Sequence, residues 1–587
     1  MNNRLKKSVL GIALIILAVF VFIRFVYINN RIISIFDDNR TTLVMEDIID
    51  DSEARPLIDE NEILLPYETI KKYIDSNIWW DGNLQKVTIT TEDKIVRMQT
   101  DNLDAYVNNK PVTLNMPVKN VNGVIYLPIK FLADFYNINI QHNSEDNVVI
   151  IDFKDKRVQT AKPISSKAVV RKGKSLRYPI IEKLNTDSVS EKDNTLLVFE
   201  TDEKWYKVRT ARGAVGYIQK KYVKLDEENI TNEEPKKENK PSWKPESGKI
   251  NLVWDMYEVR PDRIKTDLMP GVDVISPTWF ELQKEPGEPI INRADSRYVE
   301  WAHNNGYKVW ALFRNDFNSS ENTSKFLNNT DYRDAAIREL LTYASLYKLD
   351  GINIDFENIK VSDRDALTQF VRELAPLLKE QGLVVSIDIG VPDGSENWSL
   401  CYDRKGLSKV VDYVAVMTYD QHWASSPEAG STAQLSWVEK YLKTTLEEVP
   451  KEKLLLGIPF YTRLWKEEIN EGGKVEVSSV AALSMDGARK TVKNNNAQIK
   501  WDDESGQFYA EYIKEGATYK IWLEDENSID LKSSLVLKYD IAGTAVWARG
   551  FASDGIWSVL EKNIKNTDSY QSWQDISEGK KREYNIN

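Results

Sequence analysis

The sequence predicts an α/β protein: a (β/α)8 barrel over residues 249–562 with an α+β insertion between its seventh and eighth strands, preceded by a small α+β domain and a small β-barrel. The first observation behind this is a series of eight short β-rich runs after residue 249: "INLVWDMY" (250–257), "GVDVISPTWF" (271–280), "YKVWALF" (307–313), "LDGINIDFE" (349–357), "LVVSIDIG" (383–390), "VDYVAVMTYD" (411–420), "KLLLGIPFY" (453–461) and "GTAVWARG" (543–550). The second is that helix-period stretches such as "DYRDAAIRELLTYASLYK" and "RDALTQFVRELAPLLKEQG" fall between them, as crossover helices must between parallel strands. The third is the long interval before the last run, containing "EYIKEGATYKIWLEDENSI" (511–529), which reads as an added subdomain beside the cleft.

The elements before the barrel differ in kind. Arg4, Lys6 and Lys7 precede an apolar run from Val9 to Ile23, continued past Arg24 by Phe25–Ile28. That is close to the roughly 20 residues a bilayer span needs. The basic flank and the lack of a small-x-small cleavage site predict a cytoplasmic tail at 1–8 and an uncleaved membrane anchor at 9–28, with the following domains extracellular; a cleaved segment would give a secreted protein. After a linker at 29–59, "ILLPYETIKKYI" (63–74) returns as "IYLPIKFLADFY" (125–136), each followed by an alternating run, "KVTIT" and "NVVIID". Two Leu-Pro-helix-strand copies predict a pseudo-symmetric α+β domain over 60–155. It resembles the copper-amine-oxidase-like N-terminal, or stalk, domain of bacterial surface proteins, although with His142 alone and no metal spacing it is expected to bind no copper. Residues 160–226 end in "WYKV" and "GAVGYI", short strands around a Gly-bounded hairpin, and resemble the bacterial SH3-like module. The Glu-, Lys- and Pro-rich stretch 227–248 reads as a linker, and polar 563–587 as a flexible tail.

Composition narrows the partners. A formal charge of −12 over 587 residues disfavours nucleic acid and anionic membrane surfaces. His142, His303 and His422 lie far apart, so a His-rich metal site is not expected, and the single cysteine, Cys401, excludes an intrachain disulfide. A neutral ligand fits this balance better.

The fourth run is unusually acidic for a strand. Strand alternation points Ile352, Ile354 and Phe356 toward the covering helices, and Asn353, Asp355 and Glu357 into the barrel. Successive members of that polar row lie roughly 6.6–7 Å apart, with Glu357 nearest the C-terminal rim where barrel active sites are built. Burying carboxylates costs several kcal/mol unless they are paired, so a chemical role is the economical explanation. A magnesium site is the sharper rival, with Asp388 and Asp420 as further ligands.

"DGINIDFE" is similar to the Asp-x-x-Asp-x-Asp-x-Glu signature on the fourth strand of glycoside hydrolase family 18, the chitinase-like family of (β/α)8 barrels. "MTYD" (417–420) resembles the family's Met-x-Tyr-Asp on strand six, and Trp547 matches the tryptophan of strand eight. The resemblance covers 249–562. It implies no cofactor. It also implies substrate-assisted hydrolysis with retention: Glu357 as general acid and then base, Asp355 orienting and stabilising the acetamido group of an N-acetyl sugar, and Tyr419 hydrogen-bonding that group's carbonyl. Trp547 would floor the sugar site, while Met417 and Asp420 would either line it or support it. Independently of the family, the acid must be protonated at working pH, and an ionised Asp355 nearby would raise its pKa. Asn353 departs from the signature, standing where the middle aspartate would share a proton with Asp355; an amide there can hydrogen-bond but cannot carry charge. Trp279, Trp310, Trp398, Trp423 and Trp465 lie at or just beyond strand ends, where aromatic faces can stack on sugars or simply pack, and none is assigned a role of its own.

The expected function is hydrolysis of an N-acetylglucosamine-containing polysaccharide, peptidoglycan rather than chitin, because an anchor and two wall-type modules favour the cell's own wall. The alternatives are a chitinase or chito-oligosaccharidase, and a non-catalytic, lectin-like wall-binding protein.

Overall fold

The structure is a computed structural model that describes residues 12–13, 15–20, 31–36, 40–59, 62–156, 158–184, 194–230, 241–256, 267–283, 287–578 and 582–585. The chain divides into two compact units, one made of the small N-terminal domains and one carrying the barrel.

The eight β-rich runs become eight parallel strands: β1 (Ile250–Asp255), β2 (Val274–Pro277), β3 (Lys308–Arg314), β4 (Gly351–Asp355), β5 (Val384–Gly390), β6 (Tyr413–Met417), β7 (Leu454–Pro459) and β8 (Gly543–Trp547). Each pairs with its neighbours in sequence, β8 pairs with both β7 and β1, and the ring closes without an edge, the arrangement of a TIM barrel. Trp254, Val274, Trp310, Leu312, Tyr413 and Leu455 belong to one buried cluster inside it. The outward residues of β4 behave as their alternation predicts. Phe356 lies 5.6 Å from Phe370 on the helix Arg364–Glu380 and 5.9 Å from Phe326 on the helix Ser320–Leu327, centroid to centroid. Gly351 opens β4 because a Cβ there would sit 2.6 Å from the Val384 carbonyl and 2.8 Å from the Trp310 ring.

Between β7 and β8 lies the insertion, a five-stranded antiparallel sheet (Tyr461–Ile469, Val475–Ser484, Gln498–Asp502, Gln507–Lys514 and Ala517–Leu523) with the helix Met485–Asn494 packed on it. The 563–587 segment contains a helix, Tyr570–Ser577, whose Trp573 is buried.

In the N-terminal unit, Glu62–Pro66 and Val124–Pro128, the two Leu-Pro copies, pair antiparallel in one sheet, and each leads into a short helix. The sheet of Ile138–Asn143 and Val148–Phe153 is completed by Thr42–Met45, running parallel to the latter from outside the repeat. Seven strands, from Val158–Pro163 to Val223–Ile230, form one sheet.

The membrane anchor expected at 9–28 is corrected here. Among the described residues no helix is long and apolar enough to cross a membrane. Only residues 12–13 and 15–20 of that run are described, and the flanking Arg4, Lys6, Lys7 and Arg24 lie outside the described residues.

Candidate active site

The polar row of β4 meets three different environments. Asn353 is fully buried and uses its whole amide: Oδ1 accepts from Trp254 Nε1 at 2.8 Å and Ser276 Oγ at 3.1 Å, and Nδ2 donates to Ser386 Oγ at 3.0 Å and Asp388 Oδ1 at 2.9 Å. The amide orientation is forced, because an indole N–H can only donate. The sequence pairs Asn353 with Asp355 on its own strand; the hydrogen bond runs instead to Asp388 on β5.

Asp355 is buried at the end of β4, and its Oδ1 has no hydrogen-bond partner among the described residues. Burial pushes its carboxyl up to about 7, against the opposing pull of the Arg314 guanidinium. Arg314 pairs in register with Asp355 from β3 and is itself held by Glu281 at 2.9 Å.

Glu357 follows the strand, and its backbone is clamped from β3's end. Its N–H donates to Asn315 Oδ1 at 2.9 Å, and its carbonyl accepts from Asn315 Nδ2 at 2.8 Å. Its carboxyl lies well above the usual range, first through burial, then through the charges of Asp355 and Asp420, with Arg314 opposing. Asp355 is the cause expected from the sequence; burial is the larger one. A glutamic acid raised well above the usual carboxylate range, two residues from a second buried carboxyl, is the arrangement that a general acid beside a cation stabiliser requires.

Around this pair, Tyr419 is shifted well upward by burial and by Asp388, Glu357 and Asp355, so it stays a phenol and a hydrogen-bond donor. Asp420 adopts a left-handed backbone at φ +57 and accepts from Tyr461 Oη at 2.6 Å and Arg463 Nη2 at 2.7 Å, so it ties strand β6's end to the insertion. Met417 ends β6 and is partly exposed, and so is Trp547 at the end of β8, 5.9 Å from the Trp254 ring. Of the five tryptophans considered for sugar stacking, Trp279, Trp310 and Trp465 are fully buried, leaving Trp398 (48% exposed) and Trp423 (52%). Among the described residues no group of three or more His, Cys, Asp or Glu side chains is placed to hold a metal.

Several residues escaped sequence reasoning. Asn315, Arg314, Trp254 and Tyr461 come from other strands, with no local pattern to mark them. Asp388 was visible only as a possible metal ligand.

Comparison with known proteins agrees with this geometry. Residues 295–552 match the model of glycosyl hydrolases family 18, and residues 44–151 that of the copper amine oxidase N-terminal domain. The chain is 27% identical over 306 residues to the uncharacterised glycosylase YvbX of Bacillus subtilis (strain 168), covering 50% of this chain and 85% of that protein. It is 28% identical over 256 residues to the cortical fragment-lytic enzyme of Bacillus anthracis, covering 42% and 57%, so the match spans little more than half of that relative. Against the di-N-acetylchitobiase of Rattus norvegicus it is 24% identical over 300 residues, covering 47% and 79%. Residues 295–552 therefore form a glycosyl hydrolase family 18 domain, preceded by a domain of the copper amine oxidase N-terminal type, and the chain is a glycosidase.

Proposed function

We propose that the barrel hydrolyses β-1,4 bonds following N-acetylglucosamine in peptidoglycan, with retention and with the substrate's own acetamide as nucleophile. Protonated Glu357 gives its proton to the glycosidic oxygen while the acetamido oxygen attacks the anomeric carbon, and the bond to the leaving sugar breaks. The resulting oxazolinium carries a positive charge beside ionised Asp355, and Tyr419 donates to the acetamide. Water then attacks the anomeric carbon, Glu357 carboxylate takes its proton, and the oxygen returns to the acetamide. Because the nucleophile is the substrate, the separation rule for two-carboxylate glycosidases does not apply. Trp547 floors the sugar and Met417 and Asp420 hold the walls around it, while Asn353, expected from the sequence to touch substrate, is fully buried with its amide spent on protein partners and supports the row from within.

The observation that carries this reading is the pairing of a partly buried Glu357, its carboxyl raised well above the usual range, with Asp355 two residues before it at the end of a barrel strand. The preference for peptidoglycan is drawn from the likeness to the cortical fragment-lytic enzyme together with the SH3-like module that the sequence predicts over 160–226. The chitobiase likeness supports a second reading, cleavage of chito-oligosaccharides. The full chain, incubated with purified peptidoglycan and separately with chito-oligosaccharides, is expected to release muropeptides ending in N-acetylglucosamine, detected by mass spectrometry. Glu357→Gln is expected to lower turnover about 10²–10⁴-fold with binding retained. Products from chito-oligosaccharides alone would select the second reading, and an unaffected Glu357→Gln would remove Glu357 from the mechanism.

A further inference from the structure

The β4 row lacks a carboxyl at 353, yet the site contains a third one. Asp388 is 1% exposed on β5, and its Oδ1 accepts from Asn353 Nδ2 at 2.9 Å. The β4–β5 register places Asn353 opposite Ser386 and Ile354 opposite Ile387. The next residue on each strand is Asp355 and Asp388, on the same inward face and separated by roughly the 4.8 Å strand spacing. Asp355 Oδ1 is buried without a hydrogen-bond partner among the described residues. Two carboxyls so placed cannot both ionise cheaply.

We propose that Asp388 is the proton-holding partner of Asp355: the second carboxyl that strand β4 lacks at position 353 is supplied across the sheet by β5, and the two residues share one proton. Asn353 is then a positioning residue. It donates to Asp388 Oδ1, which leaves Oδ2 to carry the proton, and its own oxygen is pinned by Trp254 and Ser276. The charged and titratable groups facing the pair are Glu357 just after β4, Arg314 on β3, Tyr402 after β5 and Tyr419 beyond β6. Asp388 is driven up by burial, then by the charge of Asp355 and further by Glu357, against the opposing pull of the donors Asn353 and Trp254. The pair therefore keeps one proton between its two carboxyls, and carries a single negative charge where the sugar's acetamide becomes cationic. This role rests on the substrate-assisted reading above; the shared proton itself does not.

The test compares wild type, Asp388→Asn, and the exchange that combines Asn353→Asp with Asp388→Asn. In the single variant the new amide can turn its oxygen to the Asn353 amide, so packing is kept and only the ionisable group is lost. In the exchange, the carboxylate introduced on β4 still accepts from Trp254 and Ser276 while the amide introduced on β5 donates to it, so the carboxyl moves back to β4. On whichever glycan the wild type turns over, Asp388→Asn is expected to lower kcat at least about 10-fold with KM within about threefold, and to change the pH profile. The exchange is expected to recover kcat to within about fivefold of wild type. Wild-type kcat and pH profile in Asp388→Asn, or an exchange variant no better than it, would overturn the proposal. An infrared arm needs no substrate: at about pH 8, above the point where Asp355 ionises, the wild-type minus Asp388→Asn difference spectrum is expected to show a protonated-carboxyl stretch. Its absence overturns the shared proton even where the glycan assignment stands, and its presence keeps the shared proton should that assignment fail.

Discussion

Asp355 and Glu357 sit two residues apart on one strand, yet their protons answer to different surroundings. Burial raises both, and Glu357 is raised further by the charges of Asp355 and Asp420. If cleavage needs Asp355 ionised and Glu357 protonated, kcat/KM rises with pH through about 7, where Asp355 titrates, and the loss of the Glu357 proton sets the alkaline limb. Arg314 is the cation that lowers both groups. Arg314→Gln is therefore expected to move the acid limb to higher pH, since Asp355 loses the charge that favours its anion; Glu281 keeps its pairing with Arg293 at 3.0 Å. A kcat/KM profile over pH checks this, and an acid limb that stays or moves down would count against Asp355 as the titrating group. At this scale the sequence was legible along a strand and blind across strands. Period-two alternation names Asn353, Asp355 and Glu357, because it depends only on the strand's own residues. Asp388 and Asn315 enter the site through register with β4 and β3, and nothing local encodes register in a parallel sheet.

At the scale of elements, the barrel strands were legible because each is a short apolar run between helix-period stretches, and the tertiary ring adds only closure. The strand Thr42–Met45 was not: its partners, Val148–Ile151, lie about a hundred residues away. The helix Tyr570–Ser577 has a polar sequence and holds on through Trp573, whose Nε1 reaches Asp530 Oδ1 at 3.3 Å. How the insertion is fixed was equally invisible. Glu524, directly after its last strand, meets Lys532 of the helix Glu526–Tyr539 at 2.6 Å with both side chains essentially inaccessible. Ser528 Oγ and Gln507 Nε2 complete the carboxylate's bonds at 2.6 and 2.8 Å. Burial raises Glu524 and lowers Lys532, so desolvation works against both charges, and the pair holds only as a pair. Glu524→Ala is expected to cost about 3–5 kcal/mol by stranding Lys532, whereas Glu524→Leu with Lys532→Met is expected to recover most of that loss. Pulse proteolysis across a urea series measures both; equal losses in the single and double variants would show that packing, not the stranded charge, sets the cost.

At the scale of the whole molecule, the two small N-terminal domains, distinct in sequence, belong to one compact unit. Arg209, in the strand Trp205–Arg209 and 4% exposed, reaches back to the repeat domain and grips Asp152 with both terminal nitrogens at 2.6 Å. The same guanidinium donates to the Glu46 carbonyl at 2.6 Å. Around this clamp, Arg212 Nε meets Asp146 at 2.7 Å, Lys207 meets Asp47 at 2.7 Å, and Val215 packs on a cluster of Val44, Val148 and Ile150. Gly213, at φ +95, permits the approach, since a Cβ there would lie 3.0 Å from Val148. Exposed ion pairs contribute little, but a buried bidentate pair whose loss strands a carboxylate and a carbonyl costs about 2–3 kcal/mol. If the domains are one cooperative body, that loss appears on both sides of the interface. In Arg209→Met, amide exchange of Val148–Phe153 and of Trp205–Arg209 is expected to accelerate together, roughly 30- to 150-fold at 1.36 kcal/mol per factor of ten. Acceleration confined to Trp205–Arg209 would mean that the domains open independently, and that Arg209 serves its own sheet rather than joining it to the repeat domain.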